Sequence, residues 1–434
     1  MSIKKISFLA NKIQYKEKQL IRISLIISAL YLVVRFIDDF FLFSGGVGDE
    51  WYFTNDLNYF IENGYHSSVL RGISIPYTLI SYAFYQLTNE ISISLRLTGS
   101  LFTLVLILYF FLRQSNIIHN RRIYFIYLLF LISTTGGSFY GTNDSIFSTS
   151  LLIFLHELLF VDAKNKYNHL LLIISSTLAI ISRPIVILYL VVFFFSLMFL
   201  KIFQKDYNLK RIFSKISLVF LSTIIIVLLF NYPKISSGKY TLSFSTKTTS
   251  SEHYIAKDIN WVQWFYFSQL VHNQNGSGYF APMVEWKDVR SYKQLNGDAT
   301  LPKSFTDYLI NYKVFIMKRL PKSLVEVSMI SIRYVGILLL LLPLVAYNDF
   351  RKKLPLDNLL LIFIIIFGIV SWVILMPNLV QHRHLFPYYV LLLFIYTSKT
   401  PKPGLLMNIN SINIIVIDII IAWSLWKEGL FYRI

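Results

Sequence analysis

The stretch Leu359–Val370 reads LLLIFIIIFGIV and contains no charged side chain. Comparable runs recur along the chain, and Leu338–Leu342 consists of leucine alone. The whole chain is 55% hydrophobic and only 15% charged, whereas soluble domains carry about 25% charged residues. These features predict an all-α, multi-pass membrane protein, which we treat as a single domain over residues 1–434.

The charge and the cysteine content exclude other classes. The net charge is +18, but the basic residues stand in short clusters between hydrophobic runs, as membrane orientation requires, and not on one nucleic-acid-binding surface. The chain has no cysteine, which excludes disulfides and thiolate metal sites. The first hydrophobic stretch is too long for a signal-peptide core and lacks a small-residue cleavage site, so it indicates an uncleaved anchor.

The hydrophobic pattern predicts about eleven transmembrane helices, each of roughly 20 residues or somewhat fewer. The predicted spans are 20–43, 91–112, 123–141, 145–162, 169–182, 184–203, 216–232, 327–347, 356–376, 383–398 and 409–426. A further apolar stretch, 73–88, is interrupted by Pro76. Whether this stretch crosses the membrane decides the orientation of everything after it.

The basic clusters decide the orientation. If 73–88 does not cross and the N-terminus is cytoplasmic, six clusters fall on the inner side: 4–18, 113–122, 164–166, 201–215, 351–353 and 399–402. If 73–88 crossed, every cluster after it would move outside, against the positive-inside rule. We therefore expect 73–88 to lie in the interface or to re-enter the membrane from the outer side. The protein is then expected in the cell (inner) membrane.

This topology predicts two extracytoplasmic regions of interest. One is the first outer loop, 44–90, with interfacial helices. The other is the hydrophilic segment 233–325, which is too long for a simple connection and so is either functional or a small subdomain. Within it, the aromatic run Trp261–Phe267 predicts a helix in the headgroup region, or a surface for sugar stacking, and 306–324 predicts a second interfacial helix.

The adjacent acids Asp49 and Glu50 follow the first span directly and precede Trp51-Tyr52-Phe53. A carboxylate pair at the membrane boundary is costly and suits proton removal from a hydroxyl, which contributes about 10²–10⁴-fold to a rate. The structural alternative is that the acids cap a helix starting near Trp51 and interact favourably with its dipole. We take Asp49 and Glu50 as the candidate catalytic residues.

Other charged residues are expected on the same face. Asp144 lies in a turn between two spans, where it either caps the following helix or belongs to the site. Arg183 interrupts a hydrophobic stretch and needs a partner, either Asp144 or a lipid phosphate. Arg383 stands between two histidines at a spacing that does not suit a metal on one helix face, so phosphate binding is the better interpretation.

Two arginines in the spans have simpler interpretations. Arg35 is three and four residues from Asp38 and Asp39, the spacing of an ion pair within one helix. Arg96, near the outer start of the second span, either extends to the interface or lines the site.

Taken together, the motifs resemble the GT-C superfamily of integral-membrane glycosyltransferases, over residues 20–200 and 380–398. The matching segments are Gly48-Asp49-Glu50-Trp51-Tyr52, Asn63-Gly64-Tyr65, Pro76-Tyr77, Leu95-Arg96-Leu97-Thr98-Gly99-Ser100, Asn143-Asp144, Ser182-Arg183-Pro184 and Arg383-His384-Leu385-Phe386-Pro387. The chain departs from the family where members often have two prolines, here Ser74-Ile75-Pro76, and where they often have Arg-Pro-Asp, here Thr142-Asn143-Asp144.

The resemblance implies an inverting glycosyltransferase that moves a sugar from a polyprenyl-phosphate carrier to an extracytoplasmic glycan, lipid or protein. By this resemblance Asp49 is the base, Glu50 and Asp144 orient the base or the acceptor, and Arg183, Arg383 and Arg96 hold the donor phosphate. Some relatives use a divalent cation and others do not, so the need for one stays open. The lysine-, isoleucine- and asparagine-rich composition points to an AT-rich bacterial genome and hence to undecaprenyl as the carrier.

Two alternatives stay open at the level of sequence. An O-antigen polymerase or ligase would also have many spans and a long basic outer loop, with Lys287, Arg290 and Lys293 as candidate ligands of a lipid diphosphate. A transporter or flippase would place polar residues near mid-membrane and contain broken helices or inverted repeats. We find no repeat in the sequence, and the charges gather at one face.

Overall fold

The computed structural model describes residues 3–42, 49–113, 120–135, 138–161, 165, 167–183, 186–203, 210–238, 259–275, 284–351, 356–375, 382–397 and 405–427. This part of the chain is helical and contains no strand. Its helices are α1 (Ile3–Ile37), a π-helical turn (Asp38–Leu42), α2 (Asp49–Arg71), α3 (Ile75–Thr88), α4 (Ile91–Leu112), α5 (Arg121–Thr135), α6 (Asp144–Leu159), α7 (Asn168–Ser182), α8 (Val186–Phe203), α9 (Lys210–Phe230), α10 (Tyr232–Ser236), α11 (Trp261–Asn275), α12 (Trp286–Asn296), a 3₁₀ turn (Asp298–Thr300), α13 (Phe305–Asn311), α14 (Lys313–Val335), α15 (Leu338–Arg351), α16 (Leu356–Leu375), α17 (His382–Thr397) and α18 (Leu405–Lys427).

The all-α membrane class is confirmed at a coarse level. Within the described ranges, four helical stretches are long and apolar enough to cross a bilayer: Lys16–Leu42, Ile91–Leu112, Ile212–Phe230 and Asn408–Lys427. A bent pair, α14 with α15, makes a fifth if it counts as one span. Helix α7, together with parts of α8 and α16, forms shorter apolar helices. The larger number of eleven spans stays a prediction.

The helices pack around a buried centre. Residues 385–397 of α17 are buried without exception, as expected of a helix surrounded by other helices. Helix α17 packs against α5, α6 and α16, and α6 also contacts α4, α7 and α9. Because α6 and α17 are held on most sides, the polar residues at their first turns have fixed positions.

The far end of α6 is anchored by a second polar group. Glu157 is fully buried and receives hydrogen bonds from Arg113 Nε at 2.6 Å, Tyr109 Oη at 2.8 Å and Asn168 Nδ2 at 2.6 Å. The Lys215 ammonium donates to the Glu157 carbonyl at 3.0 Å, where a cation is favoured by the helix dipole. These bonds join α4, α6, α7 and α9 around one carboxylate.

The predicted span 327–347 is wrong as a single helix. The axes of α14 and α15 meet at 103° around Gly336, whose φ of 63° is a left-handed value that glycine adopts without strain. A Cβ at Gly336 would overlap the Asn413 side chain. Asn413 Oδ1 in turn accepts the backbone N–H of Ile337 at 2.8 Å, and Tyr396 Oη donates to the Leu338 carbonyl. The Ile337 N–H freed by the bend is therefore bound by α18, and α17 contacts the first carbonyl of α15.

The segment 73–88 forms α3, and Pro76 does not interrupt it. Pro76 lies in the first turn of the helix, after Ser74 as N-cap. Proline is compatible with this position because the first turn has no intrahelical partner for its N–H groups. Tyr77, in the same turn, is fully buried and donates a hydrogen bond to the Leu95 carbonyl of α4 at 3.0 Å.

The described part of the segment 233–325 contains a small core of its own. Ile259, Val289 and Leu301 are buried there, and Trp264 and Tyr266 pack against them. The predicted helix at Trp261–Phe267 is confirmed as the first half of α11. The predicted helix 306–324 is wrong as one element: α13 ends at Asn311, and α14 starts at Lys313 and continues to Val335.

Candidate functional site

A buried ion pair joins the first turn of α2 to α4. Arg96 Nε lies 3.1 and 3.2 Å from the two carboxylate oxygens of Glu50, and Arg96 Nη1 donates to the Phe40 carbonyl at 2.8 Å. The side chains are only 6% (Arg96) and 1% (Glu50) exposed. The pair therefore joins the π-helical turn after α1, the start of α2 and the first half of α4 into one unit.

Two glycines permit this close approach. The Gly141 N–H points at Glu50 Oε2 at 3.4 Å, and a Cβ at Gly141 would lie 2.8 Å from both Glu50 Cγ and Leu95 Cβ. A Cβ at Gly99 would lie 2.7 Å from the Tyr140 carbonyl oxygen. Any larger residue at either position would push the segment 138–143 away from α4 and from Glu50.

Asp144, three residues after Gly141, supplies a second carboxylate, which binds two arginines. Asp144 is the first residue of α6, and its Oδ1 lies 2.7 Å from Arg183 Nη1. Its Oδ2 lies 3.2 Å from Arg383 Nη1 and accepts a hydrogen bond from Thr142 Oγ1 at 3.2 Å. The N-cap position of α6 is taken by Asn143, so Asp144 does not serve as the cap.

Arg183 is further fixed by the turn before α6. Its Nε donates to Asn143 Oδ1 at 2.7 Å, and Asn143 Nδ2 donates to the Ser182 carbonyl at 3.1 Å. Arg183 is also the C-cap residue of α7, which ends at Ser182. The start of α6 and the end of α7 are thus connected through three polar side chains.

The five charged residues Glu50, Arg96, Asp144, Arg183 and Arg383 form one carboxylate–arginine cluster, joined by the short segment from Gly141 to Asp144. It contains three guanidiniums and two carboxylates. The cluster therefore has one positive charge in excess, and it lies on the Asp144 side.

The charged side chains around Asp144 differ in the fraction of their surface that is exposed to solvent. The Asp144 side chain is 9% exposed, whereas Arg183 is 16% and Arg383 is 24% exposed. Burial disfavours the charged form of Asp144, but Arg183 and Arg383 outweigh burial and lower its pKa to about 2, from an ordinary value of 3.8. Asp144 is consequently ionised near neutral pH, and two partly exposed guanidiniums, those of Arg183 and Arg383, contact it.

Aromatic side chains border the cluster. Tyr77 is close to both carboxylates: burial, then Glu50 and Asp144, raise its pKa well above the ordinary value. Its hydroxyl therefore stays protonated and donates to Leu95. On the other side, the His384 ring stacks on Trp372 at 4.4 Å with an interplanar angle of 7°, and the His384 carbonyl accepts the Tyr189 hydroxyl at 2.7 Å.

The structure brings most of the sequence-predicted site residues together. Glu50, Arg96, Asp144, Arg183 and Arg383 all belong to the cluster. Asp49 is the first residue of α2, next to Glu50, but its side chain, like residues 43–48 before it, lies outside the described residues.

The predicted pair within the first span is confirmed, at the end of α1. Arg35 lies 3.2 Å from both Asp38 and Asp39. This second carboxylate pair is thus accounted for by a local ion pair, and we do not assign it to the cluster.

Sequence reasoning missed three features of the site. It did not identify Arg96 as the partner of Glu50, since the two are 46 positions apart. It quoted Tyr77 only as part of a family motif and did not place it between two carboxylates. Trp372 belongs to the predicted span 356–376 and looks like an ordinary core tryptophan in the sequence. Only its stacking on His384 of the next helix connects it to the site.

The described residues do not fit a divalent cation. They contain no group of three His, Asp or Glu side chains placed to hold a metal ion. The carboxylates of Glu50 and Asp144 are each occupied by guanidinium groups, which compete with a cation for the same oxygens.

Comparison of the chain with protein-family models, with curated proteins and with solved structures finds no match in any of the three. Its function must therefore be inferred from the residues and the geometry above.

Proposed function

We propose that this protein is an inverting glycosyltransferase that moves a sugar from a polyprenyl-phosphate carrier to an extracytoplasmic acceptor, a glycan, lipid or protein. One observation carries the proposal: two partly exposed guanidiniums, Arg183 and Arg383, converge on the single buried carboxylate of Asp144. The combined charge of the two guanidiniums exceeds that of Asp144. Such an arrangement suits an additional anion, and a phosphate monoester or diester matches it in charge and in hydrogen-bond geometry.

In this reaction the two arginines act on the leaving group. The acceptor hydroxyl oxygen attacks the anomeric carbon, the bond from that carbon to the phosphate oxygen breaks, and the electron pair goes to the phosphate. Arg183 and Arg383 stabilise the charge that develops there. Asp144 holds both guanidiniums at fixed positions, so that little reorganisation is needed during the step.

We assign the proton from the acceptor hydroxyl to Asp49. Glu50 is 1% exposed and is engaged by Arg96 and by the Gly141 N–H, so it suits a positioning role better than proton transfer. By fixing the first turn of α2, Glu50 also fixes the backbone of the adjacent Asp49. A direct displacement of this kind inverts the anomeric configuration and needs no covalent intermediate.

A polyprenyl donor explains why the site belongs to a membrane protein. The lipid tail can lie against the apolar helices while the phosphate reaches the cluster. The apolar helices support a bilayer environment. The finer topology of the proposal has eleven spans, a cytoplasmic N-terminus and an extracytoplasmic site in the cell membrane, and it rests on the distribution of basic residues.

The decisive experiment incubates purified full-length protein in detergent with radiolabelled undecaprenyl-phosphate sugars, glucose first, and a membrane glycan extract. An Asp49→Asn variant and an Arg383→Met variant are assayed beside it, with Arg290→Met on the exposed face of α12 as a charge-matched control. We expect label in glycan with the unmodified and Arg290→Met proteins only. If no donor sugar is consumed by the unmodified protein, the glycosyltransferase proposal is refuted.

One observation favours a second candidate, a transporter or flippase. The sharp bend between α14 and α15 is the kind of break that transporters place around a substrate site. Here, however, side chains of α17 and α18 bind the Leu338 carbonyl and the Ile337 N–H at the break. Flux of labelled lipid-linked sugar across proteoliposomes without an acceptor, together with no transfer in detergent, would favour this candidate.

The polymerase or ligase alternative gains little from the outer segment. Lys287 pairs with Glu285 at 2.6 Å, and Lys293 lies 3.4 Å from Asp298. These basic residues are already matched with carboxylates on the same small subdomain. Joint substitution of Lys287, Arg290 and Lys293 is expected to leave sugar transfer intact, whereas loss of transfer would favour the alternative.

A further inference from the structure

A half-buried lysine without a carboxylate partner lies beside the turn between α2 and α3. Lys234 belongs to α10, the short helix that opens the segment 233–325, and α10 packs on α2. The Tyr65 hydroxyl of α2 donates to the Phe230 carbonyl at 2.7 Å just before α10. This contact holds Lys234 against the turn between α2 and α3, where a Cβ at Gly72 would lie 3.6 Å from the Lys234 ammonium.

Lys234 has no carboxylate partner among the described residues. Within the described residues, Lys234 forms no ion pair, and burial alone lowers its pKa, with no contribution from a carboxylate. Arg71 precedes Gly72 in this turn, and its guanidinium lies 4.2 Å above the Tyr59 ring. A partly desolvated cation with no opposite charge is costly, and an anionic ligand would remove that cost.

The same turn is hydrogen-bonded to the residue that precedes Arg183. Ser74, two residues after Gly72, donates from its hydroxyl to the Ser182 carbonyl at 3.3 Å, and Ser182 precedes Arg183. The Ser182 hydroxyl is buried and makes no hydrogen bond within the described part of the chain. Ser74 is the N-cap of α3, yet its side chain does not cap the helix, so the positive end of α3 faces this turn without a side-chain acceptor.

We propose that Lys234 and the α2–α3 turn form a second anion site, which binds a phosphate group of the acceptor. This inference rests on the proposed function, because it assumes that Arg183 and Arg383 hold the phosphate of the donor. The two sites are connected through Ser74 and Ser182, so acceptor and donor would lie on adjacent sides of α3. An acceptor that carries phosphate, in a lipid diphosphate or in a glycerol-phosphate polymer, has the required chemistry.

Of the two acceptor sources, the surface beside Lys234 favours a lipid. Tyr232 is the first residue of α10 and is 65% exposed. Leu229 lies in the last turn of α9 and is 67% exposed. An acyl or prenyl chain can cover these side chains while its phosphate contacts the ammonium.

The test measures acetylation of Lys234 by mass spectrometry in the full-length protein in detergent. An amine-reactive acetyl ester is added with undecaprenyl diphosphate, poly(glycerol phosphate), phosphatidylglycerol or undecaprenol. Lys303, exposed just before α13, is the internal control. We expect undecaprenyl diphosphate to slow acetylation of Lys234 at least fivefold and to leave Lys303 unchanged, and undecaprenol to have no effect.

The other outcomes are also decisive. Protection by the polymer alone supports the phosphate site and assigns it to a soluble glycan. Equal protection by phosphatidylglycerol means that bulk lipid occupies the surface, and it overturns the proposal, as does the absence of protection by any phosphate. A Lys234→Arg variant is expected to retain acceptor-dependent transfer, whereas Lys234→Met is expected to raise the acceptor KM with little change in kcat.

Failure of this inference is distinguishable from failure of the proposed function. If sugar transfer requires Arg183 but Lys234 is never protected, the glycosyltransferase proposal stands and the second site does not. If Lys234 is protected but no sugar is transferred from any polyprenyl phosphate, the phosphate site stands and the reaction does not. Protection in an Arg183→Met variant shows that the two sites bind independently.

Discussion

Arg96 Nε lies within 3.2 Å of both carboxylate oxygens of Glu50, and both side chains are withdrawn almost completely from solvent. The pair connects the first turn of α2 to α4, and Glu50 is the residue after Asp49. An interaction that holds the helix start in place therefore also holds the candidate base. Loss of this pair is expected to affect stability and reaction together.

The first prediction concerns the removal of Arg96. Arg96→Met leaves Glu50 buried without its counter-charge, and breaking a buried ion pair from one side typically costs about 3–5 kcal/mol. We expect a clear fall in Tm and loss of sugar transfer. Tryptophan fluorescence during thermal unfolding in detergent measures the former, and the radiolabel assay measures the latter.

A double substitution separates charge from packing. Glu50→Gln combined with Arg96→Met removes both charges and keeps an oxygen for the Gly141 N–H. We expect the double variant to be more stable than Arg96→Met alone, as a double-mutant cycle would quantify. If the two proteins unfold at the same temperature, the ion pair is not what stabilises this contact.

The second prediction concerns Asp49. Asp49→Asn removes the proposed proton acceptor and keeps nearly the same size, so we expect transfer to fall by about 10²-fold or more while expression and membrane insertion persist. Asp298→Asn, on the exposed 3₁₀ turn, makes the same chemical change away from the cluster and should leave the rate unchanged. Normal transfer by Asp49→Asn would refute the assignment of the base.

The third prediction concerns the excess charge beside Asp144. Arg383→Met leaves one guanidinium for one carboxylate and removes hydrogen-bond donors from the more exposed side. Hydrogen bonds to charged groups contribute about 1.5–3 kcal/mol, so we expect undecaprenyl phosphate to bind at least tenfold more weakly. Titration with fluorescence detection at low and at physiological salt measures the loss.

The control for this prediction is Arg290→Met, which makes the same substitution on exposed α12. Its affinity for undecaprenyl phosphate should equal that of the unmodified protein. Equal weakening by both variants would show that the lipid responds to overall charge and not to the pair at Asp144.

Local spacing explains which parts of the site were predictable. Arg35, Asp38 and Asp39 pair within one helix, and their separation of three and four residues determines the contact. Glu50 and Arg96 come from different helices, and hydropathy and charge could place them only on the same face. Their contact depends on the approach of Gly141 and Gly99 to neighbouring atoms, which no local pattern encodes.

The bend at Gly336 was not predictable for a similar reason. The residues on both sides of it form a largely apolar stretch, interrupted only by Ser328, Ser331 and Arg333, and one glycine inside a helix costs only about 1 kcal/mol. What makes the bend stable is Asn413, which lies 76 residues further along the chain and accepts the Ile337 N–H. A hydropathy pattern records the apolar residues but not this distant acceptor.

The fourth prediction tests the close approach at Gly141. In Gly141→Ala the new Cβ would meet Glu50 Cγ and Leu95 Cβ at 2.8 Å, so the segment from Gly141 to Asp144 must shift, at a cost of about 1–3 kcal/mol. We expect a lower Tm and a lower transfer rate per folded molecule, because both carboxylates of the cluster are positioned by this segment. Gly64→Ala is the matched control: Gly64 lies at a kink in α2 with φ +72° and ψ −176°, and no atom lies within 4 Å of its added Cβ, so alanine strains the backbone by about 1–3 kcal/mol without touching the cluster. It should lower Tm alone. If Gly64→Ala lowers the transfer rate as much as Gly141→Ala does, the loss reflects general destabilisation and not displacement of Glu50 and Asp144.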